Sequence, residues 1–446
     1  MEDKEPENPL EQLLRSILGP DAASQIAGQM QGAGINPTAM LGPEALMSLK
    51  HMFTSGSGPV NWGLAEDIAQ QQAHESGDPS LDLAQQERVK QALTVGDLWL
   101  DPVTDFVNPN AVRAAWTRVQ WVNGTLPGWK DVCEPVASNA SRALTEAISS
   151  EMSSGELSFP PEMAGMAQAM QQGMPKMSAM VFGSQVGRAL GAMSSEALGS
   201  SESGIPLTEG NVTALVLSNI EHFGEGLSIP IDEVLQYLAV RESAHGRLFA
   251  SVPWLKTDLL QAVQKYSSEI ALDLEIIEET ARGIDPSDPN SLEEVVTGDL
   301  FAAKPTEDQQ RALTRLETTL ALIEGWVETV TTLAVAPYLP HADQLREMVR
   351  RRRITGSAGE QILAQLVGLH LRPRAARDAA SLFNQAGENR DHLWEHPDHL
   401  PDSESLADPA AFLQKTQEPA RDEMDAALEQ LLNGTLGWAD GLSPDE

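Results

Sequence analysis

Residues 228–254 constrain the fold more than any other stretch of this 446-residue chain. Their apolar side chains recur at steps of three and four, which predicts an amphipathic helix. Pro230 suits the first turn of a helix, while Asp232 and Glu233 suit the positive end of the helix dipole. We therefore expect a helix that begins close to Ser228 and carries one apolar face.

Two polar side chains, Glu242 and His245, fall on or beside that apolar stripe. They hold the second and fifth places of the pentad Arg241-Glu242-Ser243-Ala244-His245, which has the frame of H-E-x-x-H. In that motif two histidines one turn apart bind zinc, and the glutamate between them acts on a metal-bound water. Here the first place is Arg241, and a guanidinium that keeps its charge cannot coordinate a cation.

A second carboxylate is expected near an apolar surface. Residues from about Glu307 to Ala334 predict a long helix, and Glu324 lies on the edge of its apolar stripe. A carboxylate in that position needs a metal, a cation or a proton. Glu242, His245 and Glu324 match the form of zinc site in which a downstream glutamate is the third ligand.

Spacing alone leaves a plainer interpretation open. His245 could be a hydrogen-bonded core histidine, and Glu242 could pair with Arg241, Arg247 or another arginine. A further zinc ligand would have to come from outside the pentad, and the candidates are His222 and His370.

The composition excludes several classes of partner. A formal net charge of -35 would repel nucleic acids and anionic membranes over most of the surface. No uncharged apolar run approaches the length of about 18 residues that predicts a membrane span. The single cysteine, Cys133, and the acidic N-terminus favour a cytoplasmic location. The local basic run Arg350 to Arg353 is expected to pair with neighbouring acids.

The chain is predicted to be mainly α, with at most a small sheet around a strand at Val212–Leu217. A row of small residues, one at every fourth position, predicts close packing against another core helix; it consists of Ala179, Gly183, Gly187, Gly191 and Ser195. Residues 1–57 are predicted to be a disordered tail, and residues 402–446 an acidic tail with one helix near 418–432. The helical domain between them divides into an N-terminal part (58–204) and a motif-bearing part (205–401).

Six blocks of sequence, in this order, span most of residues 58–401: GPVNWGLAEDIA (58–69), AWTRVQWVNGTLPGW (115–129), MVFGSQVGRALGAMSSEALG (180–199), EHFGEGLSIPIDEVLQYLAVRESAHGRLFASVPWL (221–255), RLETTLALIEGWVETV (315–330) and LWEHPDHLP (393–401). Together and in the same order, they resemble a known family of bacterial proteins, the zincin-like hydrolases or zinc-dependent metalloproteases. The resemblance implies a zincin-like helical fold with the active-site motif at 241–245 and Glu324 as third zinc ligand. This chain departs from the motif at Arg241.

Three functional hypotheses follow. The first is a zinc metallohydrolase that acts on peptides, with His245 and Glu324 as ligands and Glu242 as general base. The second is a metal-free pseudoenzyme in which Arg241 replaces the metal between Glu242 and Glu324, while the scaffold binds a protein or peptide. A plainer third reading is an interaction protein that recruits partners through its acidic surface.

Overall fold

The structure is a computed structural model that describes residues 58–154, 164–269, 306–354 and 375–417. The predicted tail at 1–57 and the predicted helix at 418–432 lie outside the described residues. The same holds for His370. The division into two parts near residue 204 stays a prediction.

Helices dominate the described part of the chain, which confirms the mainly α prediction. The helices are α1 (Trp62–Glu75), α2 (Leu83–Leu100), α3 (Arg118–Ser154), α4 (Ala164–Ser194), α5 (Leu217–Gly224), α6 (Ile231–Ser251), α7 (Trp254–Ser268), α8 (Glu307–Val335), α9 (Ala342–Ile354), α10 (Ala376–Ala386) and α11 (Pro409–Gln417), and the strands are β1 (Val112–Trp116) and β2 (Val212–Val216). Short 3-10 turns at Gly387–Arg390, His392–Trp394, Pro397–His399 and Ser405–Ala407 connect the last two helices. No described helix combines the length and apolar character that a membrane crossing requires.

The two strands form a small parallel sheet in which Val112 pairs with Val212 and Trp116 with Val216. The predicted strand at 212 is confirmed, whereas β1 was not predicted, because alanine and arginine fill its centre where β-branched residues would signal a strand. The other edge of β2 is covered by residues 198–200. There Ser200 N–H donates to the Ala214 carbonyl over 2.9 Å.

The row of small residues on α4 packs against α1, as the sequence predicts. A Cβ added to Gly183 would lie 2.6 Å from the Asn61 carbonyl oxygen, and one added to Gly187 would lie 2.7 Å from the Ala65 carbonyl oxygen. Neither backbone oxygen could move aside cheaply, so a larger residue at either glycine would force the two helices apart. This contact fixes how the N-terminal helices sit together.

The motif helix α6 is the central helix of the core. It begins at Ile231, three residues later than predicted, because Pro230 adopts an extended conformation and serves as the N-cap instead of entering the first turn. Every residue from Tyr237 to His245 is buried, so the helix is enclosed well beyond the predicted stripe. Helix α8 packs against α6. The N-terminus of α8 carries a capping box made by Thr306 and Gln309.

Candidate functional site

The structure brings three of the predicted site residues into one buried charge cluster. Arg241, His245 and Glu324 are 6%, 3% and 7% exposed, respectively. Arg241 and His245 lie one turn apart on α6, whereas Glu324 comes from the middle of α8. The close packing of these two helices therefore places an acid, a base and a fixed cation in the same protein interior.

The Arg241 guanidinium binds the Glu324 carboxylate directly. Its Nη2 atom donates to both carboxylate oxygens, over 2.7 Å to Oε1 and 3.0 Å to Oε2. A second guanidinium, that of Arg353 on α9, lies with its Nη1 2.8 Å from Oε2. Burial by itself would raise the pKa of Glu324, but the two positive charges outweigh that effect and lower it to about 2. Glu324 is therefore an ionised carboxylate held between two arginines.

His245 is neutral in this environment. Burial and the nearby Arg241 charge lower the pKa of its imidazole to about 3. Its Nδ1 lies 3.0 Å from the Arg241 carbonyl oxygen. Nδ1 therefore carries the proton and donates a hydrogen bond to that oxygen. Nε2 then holds a lone pair, and it has no hydrogen-bond partner among the described residues.

Glu242 faces a different environment from the one predicted. Its Oε1 accepts hydrogen bonds from the hydroxyls of Ser200 and Ser201, the second over 3.2 Å. The Ser201 N–H donates to Oε2 over 3.4 Å. The prediction that Arg241 lies between Glu242 and Glu324 is thus wrong for Glu242, because this carboxylate points to the segment that covers the edge of β2.

Close packing explains why the serine segment can approach Glu242. A Cβ on Gly199 would lie 2.5 Å from Glu242 Oε2, so this position has room only for glycine. Burial raises the pKa of Glu242 to about 7, although the hydrogen bonds from Ser200 and Ser201 oppose the rise. No described arginine pairs with Glu242. Arg247, the other candidate partner, instead donates to Asp101 Oδ1 over 2.6 Å and to two backbone carbonyls.

The side chains present do not fit a zinc ion. Among the described residues, no group of three or more His, Cys, Asp and Glu side chains is arranged to hold a metal ion. Zinc needs three protein ligands, and among the described side chains of this cluster only His245 Nε2 offers a lone pair without a hydrogen-bond partner. Both oxygens of Glu324 face guanidinium groups, whose charge would repel a cation. His222 is exposed on α5 and binds Glu225, so it does not join the cluster.

A small cavity of about 30 Å³ adjoins this cluster. Arg241, Glu242, His245, Ser201 and Arg353 are among the residues that line it. A cavity of that size holds one or two water molecules and has no room for an amino-acid side chain. The centre is therefore closed to a peptide in this conformation.

Sequence reasoning missed three of the side chains that define the site. Arg353 was expected only as one member of a basic run that pairs with neighbouring acids. That pairing is confirmed for the run, since Arg350 binds Glu328, Arg351 binds Glu347 and Arg352 binds Glu202. Ser200 and Ser201 carried no signal at all, because nothing in their local sequence connects them with a helix that begins 30 residues later.

Comparisons with known proteins agree with this architecture. A family model described as a zincin-like metallopeptidase matches residues 60–413. A crystal structure from Chloroflexus aurantiacus, described as a "putative hydrolase with a novel fold", superposes with a TM-score of 0.55 at 16% sequence identity. The superposition covers 81% of this chain and 100% of that one, so the two proteins share a fold. Among curated proteins, none matches this chain.

Proposed function

The chain belongs to the zincin-like metallopeptidase family, and we propose that it is a metal-free member in which arginine replaces zinc and the scaffold binds a protein or peptide. The observation that carries this proposal is the Arg241 guanidinium, bound across both oxygens of the expected third ligand, Glu324. The residue in the position of the first ligand thus neutralises the third one.

The charges support this replacement. A zinc ion would bring two positive charges to the centre. Arg241 and Arg353 together bring the same two charges and, unlike an ion, they are attached to the chain. A carboxylate buried as deeply as Glu324 would be costly without a cation, and the paired arginines meet that need through short, charge-assisted hydrogen bonds.

The surroundings of Glu242 also support the proposal of a metal-free protein. A general base must reach the proton that it removes, directly or through a water. Both oxygens of Glu242 instead accept hydrogen bonds from Ser200 and Ser201. The adjoining cavity of about 30 Å³ is also far smaller than the roughly 300–1,000 Å³ of typical ligand sites.

The overall charge favours a basic partner. With a formal net charge of -35, the chain attracts positively charged segments and repels polyanions. Charge complementarity of this kind speeds encounter and selects partners. Binding of a basic protein or peptide is therefore the activity that we assign to the scaffold.

One observation favours a second candidate, a zinc hydrolase. His245 Nε2 has the protonation state of a metal ligand and lacks a partner among the described residues. For zinc to bind, Arg241 and Arg353 would have to leave Glu324, and another ligand would have to reach the site. This alternative thus requires that both ion pairs of Glu324 break.

Metal analysis separates the two candidates. Full-length protein is purified without added metal, incubated with zinc, dialysed and analysed for bound zinc, alongside the double variant Arg241→His/Arg353→Gln. We expect substoichiometric zinc in the wild type and a clear gain in the double variant, since the changes restore a histidine ligand and remove both guanidinium groups from Glu324.

The matched control is His245→Ala in each background. It should abolish the zinc gained by the double variant and leave the wild type unchanged. One equivalent of zinc in the wild type that disappears in His245→Ala would defeat the metal-free proposal. A Glu242→Gln variant tests any peptidase activity in the same preparations, because activity that survives this change does not come from this centre.

A further inference from the structure

Helix α9 covers the buried centre, and it does so with arginines. Arg353 lies on Glu324, and Arg352 Nη1 donates to Glu202 Oε1 over 2.6 Å. Arg350 binds Glu328 with two nitrogens, its Nε donating to Oε2 over 2.7 Å and its Nη2 to Oε1. We call the three carboxylates of Glu202, Glu324 and Glu328 the acidic socket.

Burial differs between the two sides of these ion pairs. The carboxylate side chains of the acidic socket are 9–11% exposed, whereas the arginine side chains that fill it are 21–30% exposed. The socket therefore belongs to the protein interior, and the arginines enter it from the solvent boundary. Arg241 differs from these arginines, since its side chain is 7% exposed and lies on α6 inside the core.

Helix α9 buries less apolar surface than its neighbour α8. Its buried side chains among the described residues are Leu345 and Val349, and Ala342 and Met348 pack partly buried against the core. Helix α8, against which it lies, buries an apolar stripe that extends over most of its length. Docking of α9 thus depends on charge pairs at the edge of solvent as well as on these apolar contacts, and salt screens the charge pairs.

We propose that α9 is a displaceable internal ligand and that the acidic socket beneath it binds an arginine-bearing helical segment of a partner protein. This inference rests on the proposed function, because it names the partner class that the metal-free centre would recognise. The segment would present two apolar residues four positions apart, followed by arginines spaced like Arg350, Arg352 and Arg353.

The charge balance supports an exchange of one basic segment for another. When α9 leaves, three socket carboxylates remain, and Arg241 still binds one of them. Three negative charges against one positive charge leave a net charge of about -2 at a partly buried surface, which is costly unless a cationic segment replaces α9. An opened socket therefore selects positively charged partners.

Geometry favours arginine over lysine in the incoming segment. Arg350 engages Glu328 through two nitrogens on the two carboxylate oxygens. A planar guanidinium presents that fork in a fixed arrangement, while an ammonium group offers a single point of contact. We therefore expect arginine peptides to bind more tightly than lysine peptides of equal charge.

The test uses the full chain and a labelled peptide of residues 342–354, ADQLREMVRRRRI. The receptor is the triple variant Arg350→Gln/Arg352→Gln/Arg353→Gln, whose own α9 no longer fills the socket with charge. Fluorescence anisotropy should show binding at least about tenfold tighter than to the wild type, in which α9 competes for the site. Affinity should fall when salt rises from about 50 to about 300 mM, since added salt shortens the Debye length and screens the attraction between the arginines and the socket.

Arg351→Gln is the matched control. The Arg351 side chain is 76% exposed and pairs with Glu347 on its own helix, outside the socket. This variant should bind the peptide no better than the wild type does. A peptide with lysine in place of the four arginines at 350–353 should bind the triple variant more weakly than the native peptide.

Hydrogen exchange on the wild type gives an answer even if the triple variant does not fold. Excess peptide should speed amide exchange in Ala342–Ile354 without changing exchange in α8, because the peptide traps the open form. Equal peptide binding by wild type and a folded triple variant, or exchange of α9 only through global unfolding, would overturn the inference. Neither outcome affects the zinc measurements, so a failure here is distinct from a failure of the metal-free proposal.

Discussion

Two carboxylates of this centre, Glu324 and Glu242, are buried to a similar depth but lie in opposite electrostatic environments. On the α8 side, Glu324 meets two guanidinium groups, and its pKa is lowered to about 2. On the β2 side, Glu242 meets two serine hydroxyls and a backbone N–H, and its pKa is raised to about 7. The difference teaches that the identity of the partner, not the depth of burial, decides whether a carboxylate in this core is charged.

This comparison also explains why the centre is unsuited to a cation. The arginine side already carries the positive charge that a carboxylate requires, while the serine side can accommodate a protonated acid without any cation. His245, one turn from Arg241 on α6, is a neutral imidazole. Each member of the motif is thus satisfied, or nearly so, by the chain itself.

The largest effect is expected for Arg241→Ala. Removing one member of a buried ion pair leaves Glu324 without its closest cation, so the free energy of unfolding should fall by about 3–5 kcal/mol. Urea denaturation at neutral pH measures the change. The double variant Arg241→Met/Glu324→Leu should recover much of the loss, because it removes both charges together. A fully stable Arg241→Ala protein would show that the ion pair between Arg241 and Glu324 does not contribute to the free energy of unfolding.

Glu242→Gln should have a smaller effect that depends on pH. The pKa of Glu242 is about 7 in the folded protein against 4.5 for the ordinary carboxyl, so the folded state binds more protons between these values. The contribution of Glu242 to stability is therefore full below about pH 4.5 and is lost as the pH rises through about 7. Because the glutamine in the Glu242→Gln variant cannot ionise, the free energy of unfolding of this variant does not fall over the same pH range.

Denaturation of both proteins at pH 5 and pH 8 measures this difference. Relative to the wild type, Glu242→Gln should gain up to about 3 kcal/mol on going to the higher pH, since one pKa unit corresponds to about 1.4 kcal/mol. A stability difference that stays constant with pH would mean that Glu242 is ionised throughout. The contrast between Glu242 and Glu324 would then disappear.

The smallest effect is expected at the edge of the arginine side. Arg353→Gln removes the second cation on Glu324, but its side chain is 21% exposed, and solvent screens the loss. We expect a decrease in unfolding free energy of about 1 kcal/mol. Arg351→Gln, on the outer face of the same helix, should change it by less than about 0.5 kcal/mol. A larger loss for Arg351→Gln than for Arg353→Gln would contradict the assignment of these two faces.

Much of the helical framework could be predicted from local patterns. Helix α8 was expected from about Glu307 to Ala334 and runs from Glu307 to Val335. The four-residue spacing of the small side chains on α4 predicted the close approach that α1 makes. Both predictions succeed because side-chain periodicity within one helix determines which face is buried. Strand β1 escaped prediction, since its pairing with β2 depends on a segment about 100 residues away.

The sequence by itself determined that an arginine takes the place of the first motif histidine and that Glu242, His245 and Glu324 lie near apolar surfaces. Only the tertiary structure decided their partners. Arg353 joins Glu324, and Ser200 and Ser201 face Glu242, through contacts that span tens of residues. The physical reason is that helical periodicity sets which way a side chain points, while the packing of whole elements sets what it meets there.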